Sequence, residues 1–237
     1  MVRLIRDIEF EDGVFEPVPT AWPAPVAAPV LLFGGTFDPP HRAHVELAAR
    51  ARDKLLGEAG WLVYVPAARS PFKREGPVAS DADRAAMLKL ATADTPRCAV
   101  WTDEIDRAAR RPSEPSYWVD TLARAVCVAG ESTALRFLIG ADQALSFASW
   151  RAHETILALA QPAVLLRDPV PNREVFRRQL QMTGMELGPW MERVVFADTL
   201  PAASTDVRAA LARGENVGDL LAERVAAYIT ERGLYRG

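Results

Sequence analysis

His41 and His44 lie three residues apart in the stretch Phe33-Gly34-Gly35-Thr36-Phe37-Asp38-Pro39-Pro40-His41-Arg42-Ala43-His44. On a helix that begins near His41, this spacing puts both imidazoles on one face of the first turn, where they address a single object. The first-turn N–H groups of such a helix are unpaired and favour an anion, so a phosphate suits this corner. A metal ion is the alternative, since paired histidines also form helical zinc sites. The chain offers only His153 as a further histidine and no clustered cysteines, which leaves a zinc sphere short of ligands. Just upstream, Gly34 and Gly35 carry no Cβ, so the backbone there can come close to a ligand. A phosphate loop of the Gly-x-x-x-x-Gly-Lys-Ser/Thr type is absent from the chain.

Five other segments carry side chains of matching chemistry. Pro66-Ala67-Ala68-Arg69-Ser70-Pro71-Phe72-Lys73 is an irregular loop whose cations could reach a phosphate, or an ordinary solvated stretch. Ser116-Tyr117-Trp118-Val119-Asp120-Thr121-Leu122 opens a helix, with Ser116 a plausible cap and the aromatics open to either a pocket or the core. Phe137-Leu138-Ile139-Gly140-Ala141-Asp142 is a strand followed by a close-approach glycine and a carboxylate, which either meets a ligand or caps the short helix that follows. Further on, Trp150 of Phe147-Ala148-Ser149-Trp150 stands among Ser149, Arg151 and His153, which suggests a half-open aromatic rather than a core one. Near the C-terminus, Ser204-Thr205-Asp206-Val207-Arg208 puts hydroxyls at a helix N-cap and first turn and a cation one turn along, a pattern that suits polyphosphate or a plain Ser/Thr cap.

The elements that must position these groups alternate. Hydrophobic patterning predicts strands at 30–33, 61–65, 98–101, 134–139, 162–166 and 193–196. It predicts helices at 41–57, 81–94, 116–129, near 149–159, and at 172–183, 204–213 and 218–231. Strands separated by helices imply an α/β fold, a Rossmann-like doubly wound parallel sheet with helices on both faces and ligands over the carboxyl ends of the strands. Each segment above follows a strand end or opens a helix. Residues 108–115, rich in proline and charge, read as a flexible insertion. Residues 1–29 differ from the rest: a pairing of 2–10 with 14–16 around Asp12-Gly13 gives way to a Pro/Ala-rich run, so they read as an extension to a domain spanning 30–237.

Composition bounds the remainder. A chain of 237 residues with 49% hydrophobic content can bury one substantial core. It has no run of 18 apolar residues and no apolar leader, so the expectation is a cytoplasmic protein without a membrane span. Cys98, in a strand, and Cys127, in a helix, are expected as reduced, buried thiols. A net charge of −3 argues against a nucleic-acid binder, while small anionic substrates can still be held by a local basic cluster. Oligomeric state leaves no trace in the sequence, and a homo-oligomer stays open.

The histidine segment resembles the Thr/His-x-Gly-His region of the nucleotidyltransferase superfamily, and its Gly-Gly-Thr-Phe-Asp-Pro-Pro-His is close to the form in bacterial nicotinate mononucleotide adenylyltransferases. The other segments resemble that family in the same order: the loop ending in Pro-x-Lys, Ser-Tyr-Thr-x-Asp-Thr-Leu, Gly-x-Asp, Phe-x-x-Trp, and Ile-Ser-Ser-Thr-x-Ile-Arg. The resemblance implies adenylyl transfer from ATP to nicotinate mononucleotide, giving nicotinate adenine dinucleotide and pyrophosphate. It implies that His41, His44, Lys73 and Arg208 are catalytic. ATP would contact Gly34, Gly35, Thr36, Phe37, His41, His44, Gly140, Asp142, Ser204, Thr205 and Arg208. The pyridine nucleotide would contact Lys73, Tyr117, Trp118, Thr121, Asp142 and Trp150, with Mg²⁺ carried on the triphosphate rather than by a protein cage. Four positions depart from the family: Ala43 for Gly, Trp118 for Thr, and Ala202-Ala203 for Ile-Ser. They leave open a different pyridine or superfamily substrate, and a non-catalytic nucleotide-binding relative.

Overall fold

A computed structural model describes residues 20–69, 76–112, 114–130, 133–166, 170, 172–196 and 203–236. Six strands form one parallel sheet: β1 (Val30–Gly35), β2 (Trp61–Pro66), β3 (Cys98–Val100), β4 (Leu135–Gly140), β5 (Gln161–Leu166) and β6 (Val194–Phe196). Their order is β3-β2-β1-β4-β5-β6. Val30 pairs with Trp61 on one side and Leu135 on the other, so the winding reverses beside β1. In a sheet of this order the crevice above that reversal is where a ligand can enter between the diverging loops.

The strands read as continuous apolar runs because both sheet faces are covered. Val30, Leu31 and Leu32 are all fully buried, yet they point alternately into two different cores. On one face, α1 (Arg42–Leu56) lays Ala43, Leu47, Ala48 and Ala51 against Leu31, Leu62 and Tyr64. On the other, α4 (Trp118–Ala129) packs Leu122, Ala125 and Val126 against Val30, Leu32 and Phe137. Each fully buried leucine or phenylalanine contributes roughly 1.5–3 kcal/mol against exposure, so these stripes hold the layers in place. A third core joins α2 (Asp81–Thr92) to the C-terminal α10 (Glu223–Arg232) through Met87, Val225, Ile229 and Tyr235.

Several boundaries differ from the sequence reading. Residues 108–110, expected in a flexible insertion, end a helix instead, α3 (Asp103–Arg110). Acidic residues in its first turn and Arg107 and Arg110 in its last complement the helix dipole, and Asp103 pairs with Arg107 and Arg124 inside the protein. The helix α4 starts at Trp118 with Tyr117 as N-cap, so Ser116 does not cap it; the Ser116 N–H donates to Arg69 C=O at 2.9 Å. The stretch near 149–159 divides into a 3₁₀ turn, Phe147–Ser149, and α6 (His153–Leu159), with Ala152 at φ 51° between them. The last helix starts at Glu223 rather than at 218. Short helices α5 (Ala141–Leu145) and α8 (Gly188–Met191) flank α7 (Arg173–Met182), and α9 spans Ser204–Ala212.

Residues 20–28, the described part of the segment expected as an extension, lie on the body. Trp22 meets Trp101 edge-on at 5.1 Å, Ala24 is buried, and Ala27 N–H donates to Ala129 C=O. The expected 1–19 pairing lies outside the described residues. Cys127 is exposed, contrary to the expectation of burial, because it sits on the outer face of α4. Cys98 is half-buried, and burial pushes its thiol up to about 11, so it stays protonated.

Candidate active site

Above the carboxyl ends of β1 and β4 lies a cavity of about 1150 Å³. That is ample for a nucleotide with a second substrate beside it. Its wall includes Gly34, Gly35, Thr36, Phe37, His41, His44, Tyr117, Trp118, Gly140, Asp142, Trp150, Ser204, Thr205 and Arg208. Five sequence segments spread over 175 residues thus meet at one crevice because their strands end there.

The histidine corner is built by the turn from β1 into α1. Phe37 takes a left-handed backbone, φ 48°, and its ring is buried edge-on to His44 at 5.1 Å. A non-glycine residue held there stores strain, and the surrounding packing must enforce it. The two imidazoles stack at 3.6 Å with their planes 22° apart. The His41 N–H donates to His44 Nδ1 at 3.3 Å, so Nδ1 is the acceptor and the His44 proton resides on Nε2. His44 is therefore held as an Nε2–H donor.

One expectation at this corner is corrected and another is extended. The α1 N-terminus does not offer all its amides, since Arg42 N–H donates to Leu220 C=O at 2.8 Å and His44 N–H to His41 C=O at 2.9 Å. The glycines also serve a purpose besides ligand approach: a Cβ on Gly34 would lie 2.8 Å from the Trp118 indole, and one on Gly35 2.8 Å from the Phe37 ring. They make room for aromatic walls.

The Ser204-Thr205 segment docks directly on this turn. Ser204 Oγ donates to Pro39 C=O at 3.0 Å, and Arg208 Nη1 donates to Asp38 C=O at 2.6 Å. The N-cap of α9 is Ala203, which has no capping side chain, so the expected hydroxyl cap is displaced by one residue and Ser204 bonds across to the turn instead. Arg208 and the imidazoles consequently border the same cavity. Lys73 lies outside the described residues.

On the opposite wall, Trp150 is half-buried and packs on Phe147 at 5.2 Å, while the Arg151 guanidinium lies 4.3 Å over the Tyr117 ring. Asp142 is exposed on the wall, and its carboxylate leaves no room for a Cβ at Gly140. It does not cap α5, whose N-cap is Gly140, with Gly140 N–H donating to Gln143 Oε1 at 3.3 Å. Thr121 is fully buried and lies behind the wall, not in it. Its hydroxyl donates to Glu104 Oε1 at 2.7 Å and accepts from Arg107 Nη2 at 3.0 Å.

The charged wall residues Asp38, Glu104 and Arg151 are among those that were not expected as site residues from the sequence. Glu104 is only 3% exposed, and burial pushes its carboxyl up to about 7, against the pull of Arg107 and the Thr121 hydroxyl. Beside it, Asp103 accepts from Arg107 and Arg124 at 3.1 and 3.0 Å, yet burial still raises its pKa. The Glu104-x-x-Arg107 spacing on a polar helix was the available signal. Among the described residues no group of three His, Cys, Asp or Glu side chains could hold a metal ion. None of the described helices is long and apolar enough to cross a membrane.

A parallel sheet with this reversal, paired histidines at the first turn and an arginine-bearing helix across from them define a nucleotidyltransferase-type α/β protein. Residues 32–210 match the family described as Cytidylyltransferase-like. A "Probable nicotinate-nucleotide adenylyltransferase" of Chromobacterium violaceum is 37% identical over 217 residues, covering 88% of this chain and 99% of its own. The nicotinate-nucleotide adenylyltransferase of Salmonella typhi is 33% identical, with 86% and 97% covered. The chain belongs to the cytidylyltransferase-like family, among the nicotinate-nucleotide adenylyltransferases. The nicotinic acid mononucleotide adenylyltransferase of Plasmodium falciparum, solved in complex with NaAD, shares the fold at a TM-score of 0.63 and 15% identity, with 87% and 96% of the two chains covered.

Proposed function

We propose that this protein transfers the adenylyl group of ATP to nicotinate mononucleotide, forming nicotinate adenine dinucleotide and pyrophosphate in NAD biosynthesis. The observation that carries this reading is the meeting of the histidine turn, the Ser204–Arg208 helix start and the Tyr117/Trp150 aromatic wall around one cavity. Relatives bearing this activity in their names align over most of the chain.

In the reaction, a 5′-phosphate oxygen of nicotinate mononucleotide bonds to the α-phosphorus of ATP as the bond to the α,β-bridging oxygen breaks. The electron pair leaves with pyrophosphate. The nucleophile is already an anion, so no general base is needed, and rate comes from alignment and charge stabilisation. His44 Nε2–H serves as donor to an α-phosphoryl oxygen, and its stacked partner His41 holds that ring in place. Arg208 offsets negative charge on the triphosphate, a task that Lys73 shares in the family pattern. Mg²⁺ enters with ATP as part of the substrate, coordinated by phosphate oxygens and water. Trp150 and Tyr117 offer flat surfaces for the pyridine ring, and the cation of Arg151 over Tyr117 favours a carboxylate on that ring over an uncharged amide.

Pyrophosphate release, measured with ATP and a panel of nicotinate mononucleotide, nicotinamide mononucleotide and phosphopantetheine, tests the assignment. The highest kcat/KM belongs to nicotinate mononucleotide; preference for phosphopantetheine, or no release with any acceptor, refutes it.

A further inference from the structure

Asp38 is 3% exposed, three residues before His41, and the stretch before α2, helix α9 and the chain after α10 all attach to it. Its carboxylate accepts from Val78 N–H at 2.7 Å, Ala79 N–H at 3.2 Å and Tyr235 Oη–H at 2.6 Å. Its backbone carbonyl accepts from Arg208 Nη1. A buried carboxylate with three donors is held in one position, and so is the backbone that carries it.

Tyr235 is the unexpected member of this group. It follows the last helix, with φ 60°, and its ring is packed in the core formed by α2 and α10, 197 residues away from Asp38 in sequence. Burial and the Asp38 carboxylate both push the phenol far above its usual range, so it is a donor at any working pH. The same Asp38 carboxylate holds Val78 and Ala79, which follow directly on the chain leading from Lys73.

We propose that Tyr235 is a positioning residue for adenylyl transfer, its hydroxyl locking Asp38 and through it the histidine turn and Arg208 in the geometry that receives the ATP phosphates. This rests on the function proposed above, but the clamp itself concerns ATP and not the acceptor. Removing the hydroxyl leaves one Asp38 oxygen with a single donor and frees the turn to shift. A displacement of about an ångström costs far more in rate than in binding, because alignment is what the turn supplies. Tyr228, on the same helix as the core around Tyr235, provides an internal control: its hydroxyl donates to Asp83 at 2.9 Å, and Asp83 is not part of the cavity wall.

The experiment compares Tyr235→Phe, Tyr228→Phe and wild type in kcat and KM for both substrates, in affinity for a non-hydrolysable ATP analogue, and in melting temperature. Tyr235→Phe is expected to lower kcat by about tenfold and analogue affinity by about threefold, with KM for nicotinate mononucleotide within about twofold. Tyr228→Phe is expected to retain wild-type kinetics. Wild-type kcat and analogue affinity in Tyr235→Phe overturn the proposal, as does an equal kinetic loss in both variants, which marks general loosening. If Tyr235→Phe does not fold, Asp38→Asn, which turns the acceptor of the Tyr235 hydroxyl from a charged carboxylate into a weaker, neutral amide oxygen, is judged by the same two quantities. Should wild type bind the analogue but form no dinucleotide, the functional assignment fails, and the clamp is still decided by analogue affinity.

Discussion

The His41 N–H donates to His44 Nδ1, which leaves Nε2–H as the group that the proposed reaction uses. Replacing His44 by Ala removes a donor that strengthens as charge moves onto the α-phosphoryl oxygens. Steady-state kinetics of His44→Ala should show kcat lowered by on the order of 10² with the fold intact, and an unchanged kcat would take the imidazole out of the mechanism. Glu104 gives a pH-dependent expectation. Its carboxyl titrates near 4.5 in an unfolded chain and at about 7 when buried. Between those values the folded state keeps a proton that the unfolded state has released, so stability falls as pH rises from 4.5 to about 7 and levels off above it. In Glu104→Gln, which cannot ionise but still accepts from Thr121, thermal unfolding should lose that part of the pH slope and shift to higher temperature at pH 8. A slope identical to wild type would mean that Glu104 titrates normally.

The turn between β1 and α1 works only because α4 supplies the aromatic that fills the space above it. Gly34 has no room for a methyl group against the Trp118 indole at 2.8 Å, so Gly34→Ala must push the indole or the strand end aside. Overpacking of this kind costs roughly 1–3 kcal/mol. The variant should melt several degrees lower and bind nicotinate mononucleotide more weakly, and Gly34→Ala with wild-type KM would show that the indole is not part of the acceptor wall. The alternation of strands and helices was legible in the sequence because doubly covered parallel strands are uniformly apolar, as in Val30-Leu31-Leu32 and Val63-Tyr64-Val65. The histidine turn, Trp150 and Arg208 were legible from residue type and spacing. The helix α3 was not, since its buried side chains Asp103 and Glu104 are polar and bonded to Arg107, Arg124 and Thr121, contacts that only the tertiary structure reveals. Asp38 and Tyr235 were hidden for the same reason, as was the placement of Thr121 behind the wall.

Across the molecule, the cleft depends on cores that lie well outside it. Residues 20–28 form a strap over the β3 side: Thr20 Oγ donates to Asp106, the Trp101 indole N–H donates to Thr20 C=O at 3.4 Å, and Trp22 packs edge-on against that indole. The strap holds the start of α3, and with it Glu104. Trp22→Ala should cost about 2 kcal/mol, below the usual range for truncating a buried tryptophan because the ring is only partly buried. Thermal unfolding should report a drop of several degrees, with affinity for an ATP analogue unchanged; a melting temperature equal to wild type would show that the strap is not part of the folded body.

The account rests on the α-phosphorus of ATP ending up in a dinucleotide. ATP labelled at that phosphorus, incubated with nicotinate mononucleotide and the purified protein, should yield label in nicotinate adenine dinucleotide with one pyrophosphate released for each labelled product. Label recovered only as ATP or AMP, or carried to a different acceptor in preference to the pyridine mononucleotide, would contradict it.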